Sequence, residues 1–351
     1  SIEHPTVRRD ENQIKASVLP PEVAGRLLAH DVERRGIGVG HGAVLGNDRD
    51  GEKIGFGRAA GAGIQNVLIH PAVRAGEIPL VAAGGNGEGV RQGKGQVGST
   101  IKPFLYTLAM QEGMTPCDKV VNLPQTFVLP DGNTWTPRRT DKEQWIGKTV
   151  TLKWGLTNSS NNISAYLMKQ FGPEAMADMM RRMGIQSHID EVPALCVGPA
   201  DLSLWEMVAA YNTFPSRGVY IEPMFVTRIE DNQGNVISEF TNRKREAIGE
   251  NTAYLMVNLM EGVVQGGTAS RLRYRYKLMG EIAGKTGTTN DNADGWFIGY
   301  TPNITAGVWV GGEDRQVHFN SLALGSGSNM ALPNWGIWMK KCLADKTIGW
   351  A

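Results

Sequence analysis

Two apolar runs near the C-terminal end, GWFIGYT (295–301) and TAGVWVG (305–311), are joined through Thr301-Pro302-Asn303. Pro and Asn are turn formers, and a connection this short joins strands as antiparallel neighbours. The aromatic and β-branched residues of both runs suit strands. GEIAGKTGTT (280–289) precedes them as a third strand signal, and FVTRIED and VISEF flank a turn at NQGN (232–235).

Upstream the periodicity is helical. STIKPFLYTLAMQEG (99–113) predicts a helix opening near Ser99, with Pro103 in its first turn and Gly113 at its end. NNISAYLMKQFG and GPEAMADMMRRMG predict two more, closed by Gly172 and Gly184, the second opened by Pro173. DLSLWEMVAAYNTF (201–214), ENTAYLMVNLMEGVV (250–264) and a final LPNWGIWMKKCLA complete the set. Helices in one group and strands in another predict an α+β domain with an antiparallel sheet flanked by helices. Before residue 98 Phe56 is the only aromatic. Residues 34–57 predict a hairpin about Asp50-Gly51, whereas 57–95 shows little periodicity and AAGGNGEG reads as loop.

With 36 basic and 35 acidic side chains the net charge is +1, which gives no electrostatic case for a nucleic-acid partner. Three dispersed cysteines and six unclustered histidines predict neither a disulfide framework nor a metal site, and no cofactor is expected. No run approaches the roughly 18 apolar residues of a membrane span.

Three places carry chemistry. Ser99 and Lys102, three apart, share a helical face. A serine needs a base to become a nucleophile, and a lysine with a depressed pKa can be that base; the bland alternative is a helix cap beside a solvated lysine. In LTNSSNNISAY, Ser159 with Asn161, or Ser160 with Asn162, presents a hydroxyl and an amide just before a helix, for proton relay and carbonyl binding or simply as a capping cluster. On the strand AGKTGTT, Lys285, Thr286 and Thr288 could bind a carboxylate and Gly287 could admit a substrate backbone; otherwise this is a polar surface strand.

S-x-x-K, S-x-N and K-T-G in this order form a joint signature. With QVGSTIKPFLYTLAM, VTLKWGLTNSSN, DLSLWEMVAAYNTF, GGTASRLR and AGKTGTTNDNADGWFIGYTPNITAGVWVG, the chain from about Gly93 to Lys341 resembles the transpeptidase domain of class A, bifunctional penicillin-binding proteins. The resemblance implies their fold, related to serine β-lactamases, in which the sheet adjoins a mostly helical subdomain. It implies a peptidoglycan D,D-transpeptidase: Ser99 acylated by the penultimate D-Ala of a stem peptide, Lys102 as its base, Ser159 and Lys285 on the proton path to the leaving D-Ala. Asn161 would hold the substrate amide and Thr286 and Thr288 its carboxylate, with the N–H groups of Ser99 and Thr288 as oxyanion hole. The family register favours Ser159/Asn161 over Ser160/Asn162.

The implied partners are stem peptides, lipid-linked precursor, β-lactams and other wall-synthesis proteins, at the periplasmic or extracytoplasmic face of a bacterial inner membrane. The membrane anchor and glycosyltransferase domain of bifunctional members are expected outside this chain, which reads as a fragment or a monofunctional relative. A linker or extension is expected over 1–40 and the transpeptidase domain over 41–351, with 57–92 unassigned. Gly95 and Arg139 depart from the family pattern, which has Arg and Asn there. The competing functions are a D,D-carboxypeptidase, a serine β-lactamase and a non-catalytic wall-peptide scaffold.

Overall fold

The C-terminal hairpin is the middle of a five-stranded antiparallel sheet in a computed structural model that describes residues 15–17, 62–69, 80–83, 93–224, 228–231, 233–312 and 315–345. Its strands are β1 (Ala62–Ile69), β2 (Leu80–Ala83), β3 (Ala283–Thr288), β4 (Gly295–Tyr300) and β5 (Thr305–Gly312), in spatial order β3-β4-β5-β1-β2. β3 pairs with β4 from Ala283↔Tyr300 to Thr288↔Gly295, and β5 pairs with β1 from Thr305↔Ile69 to Gly312↔Ala62. The chemistry-bearing strand β3 is therefore an edge strand.

The stretch 57–95, which shows little periodicity, supplies β1 and β2, and the loop expected at AAGGNGEG is corrected at its first two residues, Ala82 and Ala83, which end β2. The hairpin expected about Asp50-Gly51 lies outside the described residues. Lys15–Ser17, in the stretch read as a linker, pairs with Arg228–Glu230, which pairs in turn with Val236–Glu239.

Alternation along β4 assigns each face a helix. Phe297 packs edge-on against Trp335 of the C-terminal helix α7 (Ala331–Ala344), centroids 5.1 Å apart, and Trp335 Nε1 donates to Ala306 O at 3.0 Å. On the opposite face Ile298 pairs with Gly307, and a Cβ on Gly307 would lie 2.4 Å from Val208 of helix α5 (Leu204–Tyr211). Trp296 stacks on Trp309 at 5.4 Å and 13°. Burying side chains of this size is worth about 1.5–3 kcal/mol or more each, so these layers hold the sheet between helices.

The helical subdomain is built round α1 (Lys102–Gln111), with α2 (Leu152–Thr157), α3 (Asn161–Phe171), α4 (Pro173–Arg182) and α6 (Glu250–Gly266). From Lys102 to Met110 every residue of α1 is buried. A helix apolar on all sides belongs inside, and the only charge in KPFLYTLAMQ goes in with it.

Two helix starts differ from expectation. The α-helix begins at Lys102, after a 3₁₀ turn over Gly98–Ile101. An α-helix from Ser99 would need the N–H of Pro103 to reach Ser99 O, and proline has none; the N–H of Lys102 takes that carbonyl instead. Asp201–Ser203 is a strand paired with Lys94–Gln96, and α5 starts only at Leu204, where Ser203 and Glu206 form a capping box. Among the described residues no helix is long and apolar enough to cross a membrane.

Candidate active site

The turn carrying Ser99 is fastened on three sides. Val97 N donates to Ala200 O at 3.1 Å and Gly98 N to Gly198 O at 3.0 Å, while Tyr211 Oη donates to Thr100 O at 2.6 Å. Gly98 has φ +51°, and a Cβ there would lie 2.7 Å from Thr288 O and 3.2 Å from Thr288 N. Thr288 thus turns its amide edge toward the Ser99 turn. Ser99 itself is partly exposed, and its hydroxyl has no hydrogen-bond partner among the described residues.

Lys102 follows with 0% exposure. Its Nζ donates to Ser159 O (2.6 Å) and Asn161 Oδ1 (2.7 Å) and lies 3.4 Å from Ser159 Oγ. Burial pulls its pKa down to about 8, against the pull of Cys196 and Asp141. Burial also pushes the Cys196 thiol up to about 12, so Cys196 is uncharged near neutrality and Asp141 is the effective counter-charge.

Ser159 lies in the short break between α2 and α3 with φ +57°. This left-handed conformation is unfavourable for a serine, and such residues recur where a side chain must be aimed. Its hydroxyl accepts from Lys285 Nζ at 2.9 Å, and Lys285 also donates to Thr286 O at 3.0 Å. Lys285 is 0% exposed, and burial, then the neighbouring Lys102, holds its pKa well below the usual lysine value. Ser159 Oγ therefore stands between two desolvated amines.

The choice between the two Ser-x-Asn registers is a matter of facing. Ser160 caps α3, accepting from Ile163 N at 3.3 Å, and donates to Asp141 Oδ2 at 2.6 Å; Asn162 donates to Asn122 Oδ1 at 2.8 Å. Both are buried away from the lysines. Ser159 and Asn161 are the pair that meets Lys102, and Asn161 Nδ2 is held by Arg138 O at 2.7 Å.

On β3, Thr286 and Thr288 share a face. The Thr286 hydroxyl is 2.6 Å from that of Thr268, and Thr288 Oγ1 accepts from Gly327 N at 3.0 Å. A Cβ on Gly287 would lie 2.6 Å from Val97 O and 2.9 Å from Thr100 Cγ2. The glycine lets the Ser99 turn close on the strand. Gly95, one of the two departures from the family pattern, faces Trp309, whose ring atoms would be 2.4 Å from an added Cβ. Arg139 pairs with Glu143 at 2.5 Å on the surface.

Several residues near the site had no assigned role from sequence. Thr140 Oγ1 donates to Ser159 O (3.4 Å) and accepts from Asn161 N (3.1 Å), bridging the Ser-x-Asn turn. Asp141 and Thr268 join by the contacts above. Only Thr268 left a trace, in the Gly-Gly-Thr break that follows a helix in GGTASRLR.

A family model described as "Penicillin binding protein transpeptidase domain" matches residues 88–313. Penicillin-binding protein 1A of Aquifex aeolicus (strain VF5) is 29% identical over 313 residues, covering 85% of this chain and 42% of that protein. Its counterpart from Neisseria meningitidis serogroup A is 31% identical over 261 residues, 72% of this chain and 32% of that protein. The chain thus spans less than half the length of these relatives. Among solved structures, penicillin-binding protein 1A of Haemophilus influenzae aligns with a TM-score of 0.73 at 23% identity, covering 86% of this chain and 50% of that one. PonA1 of Mycobacterium tuberculosis, solved in complex with penicillin V, aligns with a TM-score of 0.68 at 24% identity, covering 94% and 86%.

Proposed function

The chain belongs to the penicillin-binding protein transpeptidase domain family, and on that premise we propose that it cross-links peptidoglycan as a serine D,D-transpeptidase. The observation that carries the reading is the seat of Ser159 Oγ, 2.9 Å from Lys285 Nζ and 3.4 Å from Lys102 Nζ, one helical turn along from Ser99. A hydroxyl held by two desolvated amines can pass a proton either way, which acyl transfer needs twice.

In this reading neutral Lys102 takes the Ser99 proton as Oγ attacks the carbonyl of the penultimate D-Ala. The oxyanion is met by the N–H groups of Ser99 and Thr288, a pairing supported by the turn of Thr288's amide edge toward Gly98. The proton travels by Ser159 to the departing amine, the C–N bond breaks and D-Ala leaves, giving an ester on Ser99. An amine of a second stem peptide then attacks the ester and loses its proton to Lys102, which returns it to Ser99 Oγ as the C–Oγ bond breaks. One peptide bond is broken and one made, so no cofactor is needed. Asn161 holds the donor's amide, and Thr286 and Thr288 its carboxylate, whose charge favours the ammonium form of Lys285. β-Lactams acylate Ser99 by the same first step, a proposal supported by the penicillin V complex of the PonA1 neighbour. The site of action is the outer face of the bacterial inner membrane, with residues 41–351 as the transpeptidase domain.

A fluorescent penicillin is expected to label the folded protein covalently and to fail with Ser99→Ala. Wild-type protein that is folded and stays unlabelled would sink the reading.

A further inference from the structure

A carboxylate has two oxygens to satisfy, which makes the hydroxyl protons on the Thr286–Thr288 face of β3 countable. Thr288 Oγ1 accepts from Gly327 N–H at 3.0 Å, and its own proton is donated to no group among the described residues. The hydroxyls of Thr286 and Thr268, 2.6 Å apart, share one hydrogen bond. Whichever of the two donates, one proton is used between them and one is left over. The face therefore offers two O–H donors, one from Thr288 and one from the Thr268–Thr286 pair.

Thr268 is held by its surroundings. Its N–H donates to Thr157 O at 3.3 Å, and its carbonyl accepts from Ser328 Oγ at 3.0 Å. Ser328 O in turn accepts from Arg271 Nη1 at 3.1 Å, and the same guanidinium nitrogen reaches Asn329 Oδ1. The loop carrying Gly327 and Ser328 lies against the strand: a Cβ on Gly327 would sit 2.1 Å from Gly287 O. One loop thus supplies the N–H that orients Thr288 and the hydroxyl that fixes Thr268.

We propose that Thr268 is a positioning residue for the ligand's C-terminal carboxylate, committing one hydroxyl proton to its bond with Thr286 so that the other is aimed at the anion. The inference rests on the transpeptidase reading and deepens its anion pocket. It extends the pocket from the two threonines of β3 to a third on the segment after α6, with Arg271 holding the loop beneath. Without Thr268 the Thr286 proton is still present but has no partner that aims it, so acylation slows by roughly three- to tenfold, the scale of one ordinary hydrogen bond.

The test compares acylation by a penicillin with its free carboxylate and by the methyl ester of the same penicillin, on the intact chain. Thr268→Val is expected to slow the free acid by that factor and to leave the ester within about twofold of wild type, while Thr268→Ser restores the wild-type ratio. Melting curves of both variants accompany the rates, because a merely structural threonine would slow both ligands alike. Equal loss against acid and ester, or no loss against either, overturns the role of Thr268 while leaving the transpeptidase reading intact. A wild type acylated by neither ligand overturns both.

Discussion

Deprotonating a lysine near neutral pH takes an environment that dislikes its charge, and at Lys102 that environment is the protein interior in which the first turn of α1 is buried. Lowering its pKa from 10.5 to about 8 corresponds to about 3 kcal/mol by which the fold disfavours the ammonium. Because the unfolded chain holds that proton up to 10.5, the contribution to stability rises with pH between about 8 and 10.5. For catalysis the consequence is an acid limb. Penicillin acylation should rise about tenfold per pH unit below 8 and level off above it, measured as the second-order rate against pH. Asp141 is the carboxylate that opposes the shift, so Asp141→Asn is expected to lower the lysine's pKa further and move the limb to lower pH. A limb that moves upward or stays in place would remove Asp141 from this role.

Among the elements, the segment after Cys196 fixes the Ser99 turn through a backbone approach that only glycine permits. Gly198 has φ +83°, and a Cβ there would lie 2.0 Å from Gly98 O. Gly113, with φ +92° and nothing within 4 Å, has the same backbone demand without the contact. Gly113→Ala is expected to lose about 1–2 kcal/mol of stability with acylation unchanged. Gly198→Ala should lose more and also slow acylation, because the displaced group is the turn that carries Ser99; denaturant melts and labelling rates separate the two. The contrast also marks what could be read from sequence. Ser99–Lys102 was legible because residues three apart along helical backbone are neighbours by geometry, and the start of α5 is written in the Ser203-x-x-Glu206 box. Thr140 and Thr268 lie 19 and 18 residues from the groups they touch, and no local period connects them.

Over the whole molecule the sheet is the frame, and its completeness depends on residues that looked unpatterned. β2 (LVAA) is a short apolar run at the border of the sheet, with no alternation in its sequence to mark it as a strand. β1 covers the full length of β5. A chain beginning at residue 93 would leave Val308, Trp309 and Val310 on an open edge. That truncation is expected to melt lower than the intact chain and to self-associate, as read by thermal scans and size-exclusion chromatography; equal melting and a monomer would mean that β1 and β2 are dispensable. The α+β class and the helical subdomain were legible from the grouping of periods, because grouping survives errors of a few residues at element ends.

At its other border the sheet simply stops. Among the described residues β3 has a strand partner on one side only, and the Ser99 turn covers part of the other. A row of unpaired amides invites another chain to lie alongside, which is ordinarily a hazard. Here the invitation is placed where the proposed chemistry occurs. Under the proposed function a donor peptide drawn out straight would continue the ladder as a sixth strand with its terminal bond brought to Ser99, whereas one folded back or tethered too tightly would not dock. On this reading the slack in the substrate polymer, as much as the bond to be cut, selects which strands of the wall become joined.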